Sequence, residues 1–158
     1  VKPDIMAMAK SIGSGLPVGA FAMTEETAGY SLEPGDHGST YGGNPLACAA
    51  VAKTVEIFER ENIAEHVQRI GAYLAEKLDG LVAESDVAAE RRGTGLIQGI
   101  RLTKPAGGAI SRALEEGLVV ISARDNVIRL VPPLIIKEEH VDEMIDILRR
   151  VLLDVKEC

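Results

Sequence analysis

Six apolar residues, Ile63, Val67, Ile70, Leu74, Leu78 and Leu81, recur every three or four positions. That spacing places them on one stripe of a single long helix. A helix with one apolar stripe must bury it against another layer. The partner follows directly. Around Gly93 and Gly95 the period changes, and Leu96–Leu102 reads as a strand, with Gly99 marking a bulge or a close approach. A helix is expected from near Pro105 to a terminating Gly117. Leu118–Ser122 and Val127–Val131 read as paired strands joined across Asp125 and Asn126. The last helix is expected over Glu138–Val155, with Val141, Met144, Ile145, Leu148, Leu152 and Val155 inward. From about residue 60 onward the pattern is a self-contained α/β layer, with no repeats and no low-complexity tract.

The stretch before residue 60 has a different character. Gly19–Met23 reads as a short buried strand, and residues 29–44 are turn-rich. Asn44 and Pro45 form a good helix start, as cap and first helical residue. Ala47, Ala50, Val51, Val55 and Phe58 suit the buried face of that helix. Asn62 can cap the next helix, with Glu65 completing a capping box. The few strand residues before 45 need sheet neighbours that the chain does not supply, so this part is expected to associate.

Composition excludes more than it selects. The chain has 158 residues, 46% of them hydrophobic, enough for a real core. Its formal charge of −7, with scattered Lys and Arg, argues against a nucleic-acid partner. No apolar run reaches membrane-spanning length and no signal peptide opens the chain. Cys48 and Cys158 form no disulfide framework; Cys48 is expected as a small core residue and Cys158 as a frayed end. A reducing, cytoplasmic setting fits. His66 and His140 fall on helices without metal-ligand spacing, His37 reads as a loop histidine without a partner, and no metal site is expected.

Three segments carry chemistry. In the first, Ala7-Met8-Ala9-Lys10 leads into Ser11-Ile12-Gly13-Ser14-Gly15-Leu16-Pro17-Val18-Gly19-Ala20. A lysine ends a short apolar run and meets a glycine-rich turn. A buried lysine loses hydration, and its neutral amine attacks carbonyls. Glycines let a bulky ligand approach the backbone. The alternative is a surface lysine at a strand end. The second segment is Gly38-Ser39-Thr40-Tyr41-Gly42-Gly43-Asn44-Pro45-Leu46-Ala47, whose hydroxyls suit either a phosphate or an ordinary turn. The third is Asn126-Val127-Ile128-Arg129-Leu130-Val131-Pro132-Pro133-Leu134. Arg129 sits in an otherwise apolar strand, where its planar fork suits a carboxylate and where a solvated edge-strand arginine is the plain alternative.

These three segments, in this order, resemble those of the class III aminotransferases of the ornithine and acetylornithine type, which use pyridoxal phosphate. The resemblance implies an α/β fold: the end of the large domain of a fold-type I enzyme over 1–45, a linking helix over 46–60 and the small C-terminal domain over 61–158. It implies that Lys10 bonds to the cofactor and moves a proton on the substrate. It implies that Thr40 binds the cofactor phosphate of a neighbouring subunit, hence a homodimer, that Ser39 lies near the substrate, and that Arg129 holds a substrate carboxylate. Arg92 falls in the family's Arg-Gly-x-Gly wording and reads as structural. The implied reaction moves an amino group from N-acetylornithine to 2-oxoglutarate in arginine biosynthesis, with ornithine and succinyl-diaminopimelate as other donors. The family's partner for the pyridine nitrogen, its ring-stacking aromatic and its second phosphate loop precede the lysine and have no counterpart among these residues. The chain therefore reads as the C-terminal part of such an enzyme, inactive by itself; a folded fragment without a cofactor site is the competing reading.

Overall fold

A computed structural model of the chain describes residues 2–154 and divides into two compact units, the first running to Glu61 and the second starting at Asn62. The expected inward Val155 and the terminal Cys158 lie outside the described residues.

In the first unit, β1 (Ile5–Ala9) pairs antiparallel with β2 (Gly19–Met23), Ala7 opposite Phe21. The two strands thus find their neighbour in each other. They are not buried: Ile5 is 58% and Phe21 44% exposed, because a two-stranded ribbon has no second layer of its own. A 3-10 turn, Lys10–Gly13, joins them. The turn-rich reading of 29–44 missed α1 (Glu25–Ser31), a short helix capped by Thr24, whose Oγ1 accepts from Thr27 N at 3.3 Å. Next comes α2 (Pro45–Arg60), started by Asn44 as expected, with Oδ1 accepting from Ala47 N at 3.0 Å. Its expected inward face is only partly covered. Ala47 and Thr54 are buried, and Thr54 Oγ1 donates back to Ala50 O at 2.8 Å, so its hydroxyl is satisfied within the helix. Val55 and Phe58 stay exposed, and so does Cys48, against the expectation of a core thiol.

The second unit is one helix layer on one face of a sheet. Helix α3 (Ile63–Glu84) buries Ile63, Ile70, Leu74, Leu78 and Leu81, five of the six stripe residues. Leu74 and Leu78 are 0% exposed, and each such burial contributes about 1.5–3 kcal/mol. Asn62 does not cap this helix through its side chain. Its backbone is left-handed, with φ +48°, a conformation Asn tolerates. The sheet holds β3 (Ala88–Thr94), β4 (Ile97–Leu102), β5 (Ile121–Ser122) and β6 (Val127–Leu130), ordered β3-β4-β6-β5 and antiparallel throughout. Strand β3 escaped the sequence reading because Glu90, Arg91 and Arg92 break its apolar alternation. The bulge lies in β3, between Ala88 and Glu90. Gly99 is instead a close approach, where a Cβ would lie 3.2 Å from Val127 Cγ1.

Helix α4 (Gly107–Glu115) ends at Gly117, φ +88°, as the glycine signal indicated. Helix α5 (Glu138–Asp154) buries Val141, Met144, Ile145, Leu148 and Leu152. Its start is fixed by His140, whose Nδ1 accepts from Lys137 N at 3.0 Å. His66 likewise has a structural partner, Nε2 lying 2.8 Å from Ile136 O. Helices α3 and α5 are also fastened by Tyr73 Oη donating to Asp142 at 2.8 Å and by Lys77 Nζ at 2.9 Å from the same carboxylate. Lys77, then Tyr73, holds the Asp142 carboxyl below its usual range. These are partly exposed contacts that register the helices more than they stabilise them. Among the described residues no helix is long and apolar enough to cross a membrane.

Candidate active site

Lys10 stands where β1 ends and the 3-10 turn begins, in a left-handed backbone conformation, φ +58°. For a lysine that conformation costs of order 1–3 kcal/mol and persists only where the surroundings impose it. Here the antiparallel register of Ala9 with Gly19 and the tight turn after Lys10 impose it. Gly13 is buried, and a Cβ there would collide with Val18. Gly15 (φ +105°) has open space where a side chain would stand. Within the unit the turn packs against α2. Of the two settings that sequence left open, buried or at the surface of a strand end, Lys10 takes the second: it is exposed. Its amine has no hydrogen bond or ion pair among the described residues and is open to a ligand.

The segment before α2 separates two neighbouring hydroxyls. Ser39 Oγ accepts from Gly42 N at 3.1 Å, the turn chemistry that Ser favours. Asn44 Nδ2 donates to Tyr41 O at 2.9 Å, and Gly43 takes φ +68°. These bonds brace the loop from within. Thr40 makes none of them; it is exposed, and its hydroxyl has no partner among the described residues. Tyr41 is 82% exposed. His37 has the partner that sequence did not provide, its ring edge-on to Phe21 at 5.2 Å between centroids.

Arg129 belongs to the second unit. Strand β6 lies between β4 and β5, so Arg129 is not on an edge strand. It faces away from the core, opposite Gly99 on one side and Ile121 on the other. It is exposed and has no acidic partner among the described residues. On the same face Glu90 Oε1 accepts from Arg92 Nε at 2.6 Å and from Arg101 Nε at 2.7 Å. Arg101, then Arg92, holds the Glu90 carboxyl below its usual range. Sequence reading missed Glu90 and Arg101. The signal was present as period-two alternation, which sets Glu90, Arg92 and Thr94 on one face of β3. The opposite side of β3 sends Arg91 to α3, with Nε 2.8 Å from Asp79 Oδ1 and Nη1 3.1 Å from the buried Gln98.

Among the described residues the amine of Lys10 and the hydroxyl of Thr40, in the first unit, and the guanidinium of Arg129, in the second, have no side-chain partner. The chain belongs to the class III aminotransferase family, whose model matches residues 1–152, and the family's enzymes use pyridoxal phosphate. It is 39% identical over 155 residues to an acetylornithine aminotransferase of Methanothermobacter thermautotrophicus, covering 98% of this chain and 40% of that protein. It is 43% identical over 150 residues to the acetylornithine aminotransferase of Methanosarcina mazei, covering 95% and 37%. Among solved structures, the acetylornithine aminotransferase of Elizabethkingia anophelis superposes with a TM-score of 0.89 at 28% identity, over 98% of this chain and 40% of that one. The ornithine delta-aminotransferase of Plasmodium falciparum gives 0.90 at 32%, over 97% and 41%. The chain thus spans about two fifths of the length of the relatives it matches.

Two exposed groups of the chain have the chemistry that pyridoxal phosphate calls for, one toward its aldehyde and one toward a phosphate. The open amine of Lys10 suits an aldehyde, and the free hydroxyl of Thr40, ahead of the N-terminus of α2, suits a phosphate.

Proposed function

We propose that the whole protein of which these residues form part is an aminotransferase acting on N-acetylornithine and 2-oxoglutarate in arginine biosynthesis. The observation that carries this is the lysine itself: strained, exposed and, among the described residues, unpaired at the end of β1, in a chain whose similarity to acetylornithine aminotransferases runs nearly end to end. Pyridoxal phosphate, when bound, supplies the electron sink for the substrate carbanion. Lys10 holds the cofactor and, through Nζ, takes and returns the proton at the substrate carbon that bears the amino group. Thr40 donates its hydroxyl to the phosphate, across a dimer contact. Arg129 orients the substrate α-carboxylate with two parallel bonds, and Ser39 lies at the substrate's edge.

Ornithine is the second donor to weigh, because the Plasmodium ornithine enzyme superposes so closely; succinyl-diaminopimelate is a third. Assaying the whole protein with each donor and 2-oxoglutarate separates them. Glutamate formed with none of the three would overturn the proposal. The 158-residue chain alone is expected to be inactive in the same assay.

Two substitutions test the residue roles. Thr40→Ala removes one donor to a charged group, worth about 1.5–3 kcal/mol. Cofactor affinity of the whole protein should fall roughly ten- to a hundredfold; an unchanged dissociation constant would return Thr40 to plain turn chemistry. Arg129→Lys keeps the charge and loses the planar fork. KM for amino donor and keto acid should rise together while the cofactor's visible absorbance stays. If both KM values are unmoved, the carboxylate is held elsewhere.

A further inference from the structure

The open face of the four-stranded sheet carries three arginines and one acid. Arg92, Gly99, Arg129 and Ile121 stand directly opposite one another across four strands. Glu90, Arg101 and Val127 form the neighbouring row. Residues directly opposite on antiparallel strands share a face, and diagonal neighbours lie about 7–8 Å apart, within reach of long side chains. Arg101 is thus the diagonal neighbour of Arg129. Arg92 faces Arg129 across bare glycine backbone, with no side chain between them.

Three guanidinium groups so placed would compete for any anion that enters. They do not compete equally, because Glu90 engages two of them, Arg92 and Arg101, through the same carboxylate oxygen. We propose that Glu90 is the specificity-determining residue of this face: it ties down Arg92 and Arg101, leaves Arg129 as the one available guanidinium, and so limits the face to one carboxylate at a time. This rests on the reading of Arg129 as a carboxylate site. Arg92 and Arg101 act here as a reserve of positive charge that Glu90 neutralises. Removing that carboxylate frees both forks beside Arg129. A ligand with two carboxylates then gains a second partner, while a ligand with one gains only a stronger field.

The test uses the 158-residue chain at low salt, titrated with propionate and with glutarate and followed through the arginine Nε–Hε NMR signals. The unmodified chain should bind both with affinities within about threefold, shifting the Arg129 signal and sparing those of Arg92 and Arg101. Glu90→Gln should bind glutarate roughly tenfold more tightly, with propionate changed by less than about threefold, and glutarate should now shift the Arg92 or Arg101 signals. Glu90→Ser, with unchanged circular dichroism, should repeat that result if the Gln variant is misfolded. Arg129→Gln should weaken both ligands in the Glu90 background. Loss of binding in Arg129→Gln, with an unchanged glutarate-to-propionate ratio in both Glu90 variants, overturns the role of Glu90 and leaves the Arg129 reading standing. Unchanged binding in Arg129→Gln, or no binding by the unmodified chain, overturns the Arg129 reading and this inference with it.

Discussion

Lys10→Arg is expected to reduce amino transfer by the whole protein to the level of the protein-free reaction. Arginine keeps the positive charge and nearly the same reach, so binding of anionic substrates should change little. A guanidinium does not condense with an aldehyde, and because it stays protonated it neither takes nor returns a proton at neutral pH. One substitution therefore removes both roles assigned to the amine, covalent attachment and proton transfer, and the loss should exceed a thousandfold. Borohydride reduction in the presence of cofactor gives an independent reading. The unmodified protein should gain a stable covalent adduct on the peptide containing Lys10, and the variant should gain none. Activity within tenfold of the unmodified protein, or an adduct on a different lysine, would remove Lys10 from the mechanism.

The second large effect concerns stability. Gly93 lies in β3, paired with Gln98 of β4, and takes φ +120°, a region closed to ordinary side chains. A Cβ on it would overlap Ile97 O and lie 2.8 Å from Gln98 Cα. Both are backbone positions of the adjacent strand, so no rotamer change relieves the contact. Gly93→Ala must open the β3–β4 pairing or displace β4, and β4 carries Ile100 and Leu102, both fully buried. Backbone strain alone costs about 1–3 kcal/mol, and the displaced core adds to it. We expect a loss of at least about 3 kcal/mol, which moves a urea midpoint by roughly 1–3 M. Gly107→Ala, in open space at the start of α4, is the matched control and should move the midpoint little. Equal midpoints for the two variants would mean that the close strand pairing at Gly93 is not the constraint described.

What could be read from sequence divides along a physical line. Helices α3 and α5 were legible because each buries one regular stripe within its own unit. The start of α2 was legible because Asn44 and Pro45 act locally. The inward face of α2 was not, since burial of Val55 and Phe58 depends on what lies opposite them rather than on their own spacing. Strand β3 stayed hidden because it alternates one charged face with one that meets Asp79 and Gln98, which leaves no apolar signal. For the site, residue type and order pointed to Lys10, Thr40 and Arg129. The uncommitted state of the Thr40 hydroxyl, against the engaged one of Ser39, emerged only from hydrogen-bond geometry. The tie between Glu90 and two arginines needed strand register, which single-strand patterns do not contain.

The strand order β3-β4-β6-β5 gives the second unit two outer edges of different character. One is β3, bulged between Ala88 and Glu90 and lined with charge; the other is β5, only 2 residues long. A flat, apolar edge recruits foreign strands and seeds fibres, and neither edge offers such a template. Any ordered growth of this sheet would have to pair against a kinked ladder or against one too short to hold a register. The same charges that set the chemistry of the sheet face therefore also guard the unit against aggregation while it folds.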